Sequence, residues 1–233
     1  MKTKNLGAHS RAAGWKQGMV LLIGAMLGGC QSSQEALRSL AAHHNHQLEI
    51  ISTRPFPLAL SIPLKPIATS RIRLYIEGDG HAWATRSQPS LDPTPRNLLV
   101  AGLAFDDPTP SFYLARPCQF VMAAGCRPDL WTNRRFSDEV VTSLEHALDQ
   151  IKVRYGNHDF ELIGYSGGAA LALLLAARRD DVAQIQTFAA ISALSDGCNS
   201  INSAPCRAPL IRIITAQHWR ASHRDTWPVA RTK

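Results

Sequence analysis

The residues best suited to chemistry in this chain are Gly164-Tyr-Ser166-Gly167-Gly168. An apolar run over 160–163 precedes them, and Ala169-Ala-Leu-Ala-Leu-Leu-Leu-Ala-Ala177 follows. A serine set among glycines, with a strand pattern before it and a small-residue helix pattern after it, has the spacing of a nucleophile elbow. The tight turn lifts the Ser166 hydroxyl above the sheet. Small residues at 164, 167 and 168 let strand and helix approach closely, and the Gly167 N–H can face an oxyanion. The chemistry expected is attack of Ser166 on an ester, thioester or amide carbonyl, followed by transfer of the acyl group to water. That reaction needs a base and an acid to orient it; it calls for no cofactor and no metal.

The elements that would position this serine alternate in type. Residues 47–53 and 58–62 read as an antiparallel pair of strands with Pro55 and Pro57 in the turn. Residues 71–76 alternate as a strand and end in Glu77-Gly78-Asp79-Gly80. A short helix is expected over 97–104 and a short strand over 112–115. A longer helix begins at Ser137, which is placed to cap it, with Phe136 placed to staple onto Val141. Val140, Val141, Leu144, Ala147, Leu148 and Ile151 give that helix one apolar face. Residues 182–189 read as the next strand. The expected class is α/β: a mostly parallel sheet with helices on both faces.

The N-terminus points to a compartment. Lys2, Lys4, Arg11 and Lys16, with no acid before residue 30, precede the apolar stretch 19–27, too short for an ordinary membrane span. Leu27-Gly28-Gly29-Cys30 resembles the bacterial lipobox, in which the cysteine is acylated after cleavage. The resemblance implies a signal peptide over 1–29, lipidation of Cys30, and attachment to the cell envelope through the lipid. Gln31, which is not Asp, favours the outer membrane, with the protein facing the periplasm. Residues 30–46 then read as a polar tether carrying His43, His44 and His46. Cys118 and Cys126 flank one irregular loop and, in an oxidising compartment, are expected to pair as a disulfide.

The net charge of +7 does not argue for a nucleic-acid partner. The leader holds +4 and residues 191–233 another +4, which leaves 30–190 at −1. There is no phosphate-binding G-x-x-x-x-G-K-[ST] pattern, no zinc-type cysteine spacing and no internal repeat. The expected partners are a small ester or amide substrate and a membrane reached through the lipid anchor.

From about Gln47 to about Ala189 the chain resembles the α/β-hydrolase superfamily, and within it a group of secreted bacterial hydrolase-like proteins. The resemblance rests on Ile76-Glu-Gly-Asp-Gly80-His-Ala-Trp83, on 88–95, on Tyr113-Leu-Ala-Arg-Pro-Cys-Gln119, on Trp131-Thr and Arg135-Phe-Ser137, and on Gly164-Tyr-Ser-Gly-Gly168. It implies Ser166 as nucleophile and Gly78, Asp79 and Gly80 as the loop offering a second oxyanion N–H beside that of Gly167. His81 matches no general base in it.

The resemblance ends at about Ala190, and 191–233 is rich in Ser, Arg, Cys and Asn with little pattern. Relatives would continue with further strands, the triad acid and a late histidine. A frameshift is the expected explanation. Read from the third base of each codon, 189–192 can encode Gly-Asn-Leu, as the resemblance requires. The tail is then expected to lack regular order and the sheet to lack its last strands. If the tail is native, 208–214 reads as a strand, His218 or His223 as the base, and Asp196 or Asp225 as the acid. A chain without base and acid would be a hydrolase-like lipoprotein without activity.

Overall fold

Alternate residues of the central strands point into two separate apolar cores, so both faces of one sheet are covered. The computed structural model describes residues 32–65, 70–188 and the backbone of 212–215. The strands are β1 (His46–Ile51), β2 (Leu58–Pro63), β3 (Arg71–Ile76), β4 (Ser111–Leu114), β5 (Asp159–Tyr165), β6 (Val182–Phe188) and β7 (Arg212–Thr215). The helices are α1 (Ser33–His43), α2 (Leu99–Phe105), α3 (Asp138–Tyr155) and α4 (Gly167–Arg178), with a 3₁₀ turn at Pro128–Trp131. The sheet order is β1-β2-β4-β3-β5-β6-β7. Its centre, β4-β3-β5-β6, is parallel.

On one face Ile72, Leu74 and Ile76 of β3, Phe112 and Leu114 of β4, and Phe160 and Leu162 of β5 pack under α3 and α4. On the other, Tyr75, Tyr113 and Ile163 pack with α1 and α2. The two-residue period of a strand feeds each face in turn. The antiparallel β1–β2 pair is present as expected, with Ile51 opposite Leu58 and His46 opposite Pro63. The turn between them contains a cis Arg54–Pro55 bond.

Three expectations need correction. Residues 33–43 are not a tether: they form α1, with Leu37 and Ala41 buried in the second core. The histidines beyond it are part of the body, His44 Nδ1 lying 3.1 Å from Asp106 and the buried His46 ring lying 4.5 Å from that of Phe105. Ser137 does occupy the N-cap position of α3, with extended backbone, but its hydroxyl makes no capping bond. Phe136 lies under two guanidiniums, Arg135 at 4.7 Å and Arg116 at 5.8 Å from its ring. A cation over an aromatic face is attracted by the ring quadrupole.

Beyond residue 188 the structure describes one element. β7 overlaps the stretch 208–214 expected as a strand, runs one residue beyond it, and pairs with β6 antiparallel. Cys30, the leader, and Asp196, Cys198, Cys206, His218, His223 and Asp225 lie outside the described residues. Among the described residues no helix is long and apolar enough to cross a membrane.

Candidate active site

Ser166 stands between β5 and α4 with φ 50° and ψ −117°. That is a left-handed, sparsely populated conformation for a residue with a Cβ, of the kind that persists where the surroundings over-determine it. Two backbone bonds hold it: its N–H donates to Phe188 O at 3.1 Å, and its carbonyl accepts from Ala169 N at 3.0 Å. Gly164 is required by the close approach of the helix. A Cβ there would lie 2.5 Å from Ala169 Cα and 2.5 Å from Gly168 O. The sharp strand-to-helix turn expected at Ser166 is therefore present.

The loop after β3 meets this turn. Gly78 packs against the Tyr165 ring and carbonyl, and the Asp79 carboxylate lies beside Gly167 Cα. Gly80 has φ +62° and sits against Pro93 O. The structure thus brings Gly78, Asp79 and Gly167 together around Ser166. One part of the expected oxyanion site does not hold. The Gly78 N–H donates to Glu77 Oε1 at 2.8 Å and is already used. The N–H groups of Asp79, Gly80 and Gly167 are bonded to no partner among the described residues. Gly167 opens α4, where the first N–H groups of a helix have no intrahelical acceptor and carry its positive end.

Residues that the sequence resemblance includes without assigning a role turn out to hold this loop. Arg116 is buried, and its guanidinium bonds Asp79 Oδ1 and the Arg135 carbonyl. Gln119 ties two backbones together, accepting from Arg116 N at 3.0 Å and donating to Gly78 O at 2.9 Å. Thr94 accepts from Phe120 N, and Trp131 Nε1 donates to Ser90 O. Cys118 and Cys126 pair as expected, Cα to Cα 5.8 Å, and close the loop that carries Gln119. Cys118 and Phe120, on either side of Gln119, both have positive φ.

Glu77 is the group whose ionisation is most altered in the loop. It is buried, and burial pushes its carboxyl up to about 7, against the pull of hydrogen bonds from Gly78 N and Tyr113 OH and the charge of Arg116. Tyr113 OH donates to Glu77 Oε2 at 2.9 Å. The signal for Glu77 and Arg116 in the sequence was a charge at the end of an otherwise apolar strand, where burial obliges it to find a partner.

His81, close in sequence to the loop, has its Nε2 at 2.8 Å from Arg96 Nη2. Arginine can only donate, so this nitrogen is the acceptor in the contact. A concavity of about 600 Å³ lies elsewhere, lined by Ile50, Leu60, Val153 and Arg154 among others, and none of the elbow or loop residues reaches it.

No family model matches the chain, and no curated protein matches it either. Solved structures do. The chain is similar to an esterase of Pyrococcus furiosus at 13% identity and TM-score 0.42, over 59% of this chain and 48% of that one. It is similar to an α/β serine hydrolase homologue of Coxiella burnetii at 19% identity and TM-score 0.42, over 60% and 61%. A third likeness is to an α/β serine hydrolase without a lid from Xanthomonas campestris, at 15% and TM-score 0.38, over 57% and 56%. The chain spans about half the length of the first solved structures it matches. Its own topology carries the fold assignment: a sheet with a parallel centre, helices on both faces, and a serine at the sharp β5-to-α4 turn make the α/β-hydrolase arrangement.

Proposed function

We propose that this chain is the serine-bearing core of an acyl hydrolase of the esterase type, anchored in the bacterial cell envelope through Cys30. The observation that carries the reading is the backbone of Ser166, held at φ 50° on a strand-to-helix turn. Strain of this kind has a use when it presents a hydroxyl to a substrate. In the reaction, Ser166 Oγ forms a bond to the acyl carbon as its proton passes to a base. The carbonyl oxygen becomes an oxyanion beside the N–H of Gly167 and one from Asp79 or Gly80. The bond to the leaving group then breaks as that group takes the proton, and water repeats the sequence on the acyl-serine. The base and its acid belong to this proposal through the tail, as His218 or His223 with Asp196 or Asp225, or through the restored reading frame.

A second reading is a hydrolase-like lipoprotein that binds without turnover: among the described residues no histidine is hydrogen-bonded to Ser166, His81 being engaged with Arg96. The two are separated by rates of hydrolysis of 4-nitrophenyl acetate by the chain as it stands, a frame-restored chain, and Ser166→Ala in each. The hydrolase reading expects turnover that Ser166→Ala abolishes: in the chain as it stands if a tail histidine is the base, or only after a rise of orders of magnitude on frame restoration if the shifted frame supplies it, since loss of a triad member costs about 10⁴. Equal, serine-independent rates in all of them would leave the binding reading. The anchor is tested by Cys30→Ala, which is expected to release the protein from membranes.

A further inference from the structure

Two guanidiniums share a single carboxylate beside Ser166. Arg116 and Arg135 both face Asp79 Oδ1, Arg116 in hydrogen-bond contact and Arg135 Nε at 3.7 Å. The neighbouring ion pairs are balanced by contrast. Arg127 and Arg134 divide Asp129 and Glu139 between them, and Asp138 is taken by Arg178. Glu77, the other acid of the loop, is turned to Tyr113 OH and Gly78 N. Within ion-pair distance, therefore, Asp79 is the one carboxylate that the two guanidiniums have between them among the described residues.

Of the two, Arg135 is the less satisfied. Arg116 is enclosed, its two terminal nitrogens spent on Asp79 and on the Arg135 carbonyl. Arg135 keeps a third of its side chain in solvent. It is nonetheless fixed in place: Nη1 donates to Thr132 O at 2.9 Å, and the guanidinium lies over the Phe136 ring. Its Nε is buried without a hydrogen-bond partner. A cation held rigid by an aromatic face and a carbonyl, and left short of acceptors, suits a planar or tetrahedral anion, for which a guanidinium is the preferred partner.

We infer that Arg135, backed by Arg116, is a recognition site for an anionic group, a carboxylate or a phosphate, carried by the substrate next to its scissile acyl group. The inference rests on the hydrolase reading for the word substrate, and not for the anion site itself. Asp79 places the site: its carboxylate touches both guanidiniums and lies against Gly167, the residue after Ser166.

The test uses the full chain carrying Ser166→Ala, so that turnover does not interfere, and reads binding by calorimetry. The probes are monomethyl succinate, which has an ester and a carboxylate, and dimethyl succinate, which has the ester alone. The half-ester is expected to bind about tenfold more tightly or better, the scale of a charged hydrogen bond. Arg135→Gln should remove that preference and Arg135→Lys should keep part of it, with inorganic phosphate competing for the half-ester site. Melting curves identify which variants remain folded, and Arg135→Met gives the same reading if Arg135→Gln melts early. Equal binding of the two esters, or a preference that survives loss of the arginine, overturns the inference. A preference that holds while neither the chain as it stands nor the frame-restored chain hydrolyses an ester would overturn the hydrolase reading and leave the anion site standing.

Discussion

Asp79 occupies the place that a side chain of residue 167 would need. A Cβ on Gly167 would come within 2.3 Å of Asp79 Oδ1 and 2.8 Å of an Arg116 guanidinium nitrogen. The absence of a side chain immediately after the serine therefore lets a buried ion pair reach the elbow. The glycine serves packing as well as the opening of the helix.

Gly167→Ala is accordingly expected to displace side chains, whereas Gly164→Ala presses on backbone. The neighbours of a Cβ at 164 are the helix main chain, which cannot move without losing the turn. Gly167→Ala should cost about 1–3 kcal/mol, the usual scale of overpacking. Gly164→Ala should cost more. Urea denaturation of the two variants checks the order.

Glu77→Gln should change the pH dependence of stability. The carboxyl rises from an ordinary value of 4.5 to about 7 in the fold, chiefly because it is buried. Between those values the folded chain holds a proton that the unfolded chain has released. The stabilising contribution is complete below pH 4.5 and is lost as pH rises through 7, a change of up to about 3 kcal/mol. Gln mimics the protonated group, so the variant should match the wild type near pH 4.5 and exceed it near pH 8. Denaturation midpoints across that range provide the measurement.

His46 should produce the opposite slope at lower pH. Burial, helped by the neighbouring His44, lowers it from 6.5 to about 4. The unfolded chain then binds the proton first. The stabilising contribution is present above pH 6.5 and is lost as pH falls toward 4. His46→Phe, which keeps a ring against Phe105, should remove this acid-side loss. Thermal melts between pH 4 and 7 would show it.

Cys118→Ser with Cys126→Ser should destabilise the fold by about 2–3 kcal/mol, the loop-closure cost of so short a ring. The change should also loosen Gln119, which lies inside that ring and holds Gly78 O. Hydrogen exchange is expected to speed up at residues 77–80 and 116–120 in the double variant. It should change little in α3.

Much of the elbow was legible in the sequence because its requirements are local. Glycine at 164 and 167 and a strand and helix pattern on either side suffice to define the turn. The β1–β2 pair and α3 were legible for a similar reason, their apolar periods being regular. α1 was not, because Ser33, Gln34, Glu35 and Arg38 make its composition polar, although Leu37, Leu40 and Ala41 lie at helical spacing. Only the apolar surface of the sheet turns that thin stripe into a packed helix. The use of the Gly78 N–H by Glu77 was equally hidden, since it depends on a side chain folding back on the next residue. The partnership of Arg116 with Asp79 spans 37 positions and follows from the β3–β4 pairing rather than from any local signal.

The bond from Ser166 N–H to Phe188 O has a bearing on modularity. Phe188 is the last residue of β6 and lies just before the sequence resemblance stops. Among the described residues, the backbone bonds that brace the serine come from chain that precedes the divergent tail. A C-terminal segment exchanged after residue 188 would inherit a turn already tensioned and, for acyl transfer, would need to bring a base and its orienting acid to it. In that sense residues 70–188 carry the backbone that poses Ser166, whichever ending follows them.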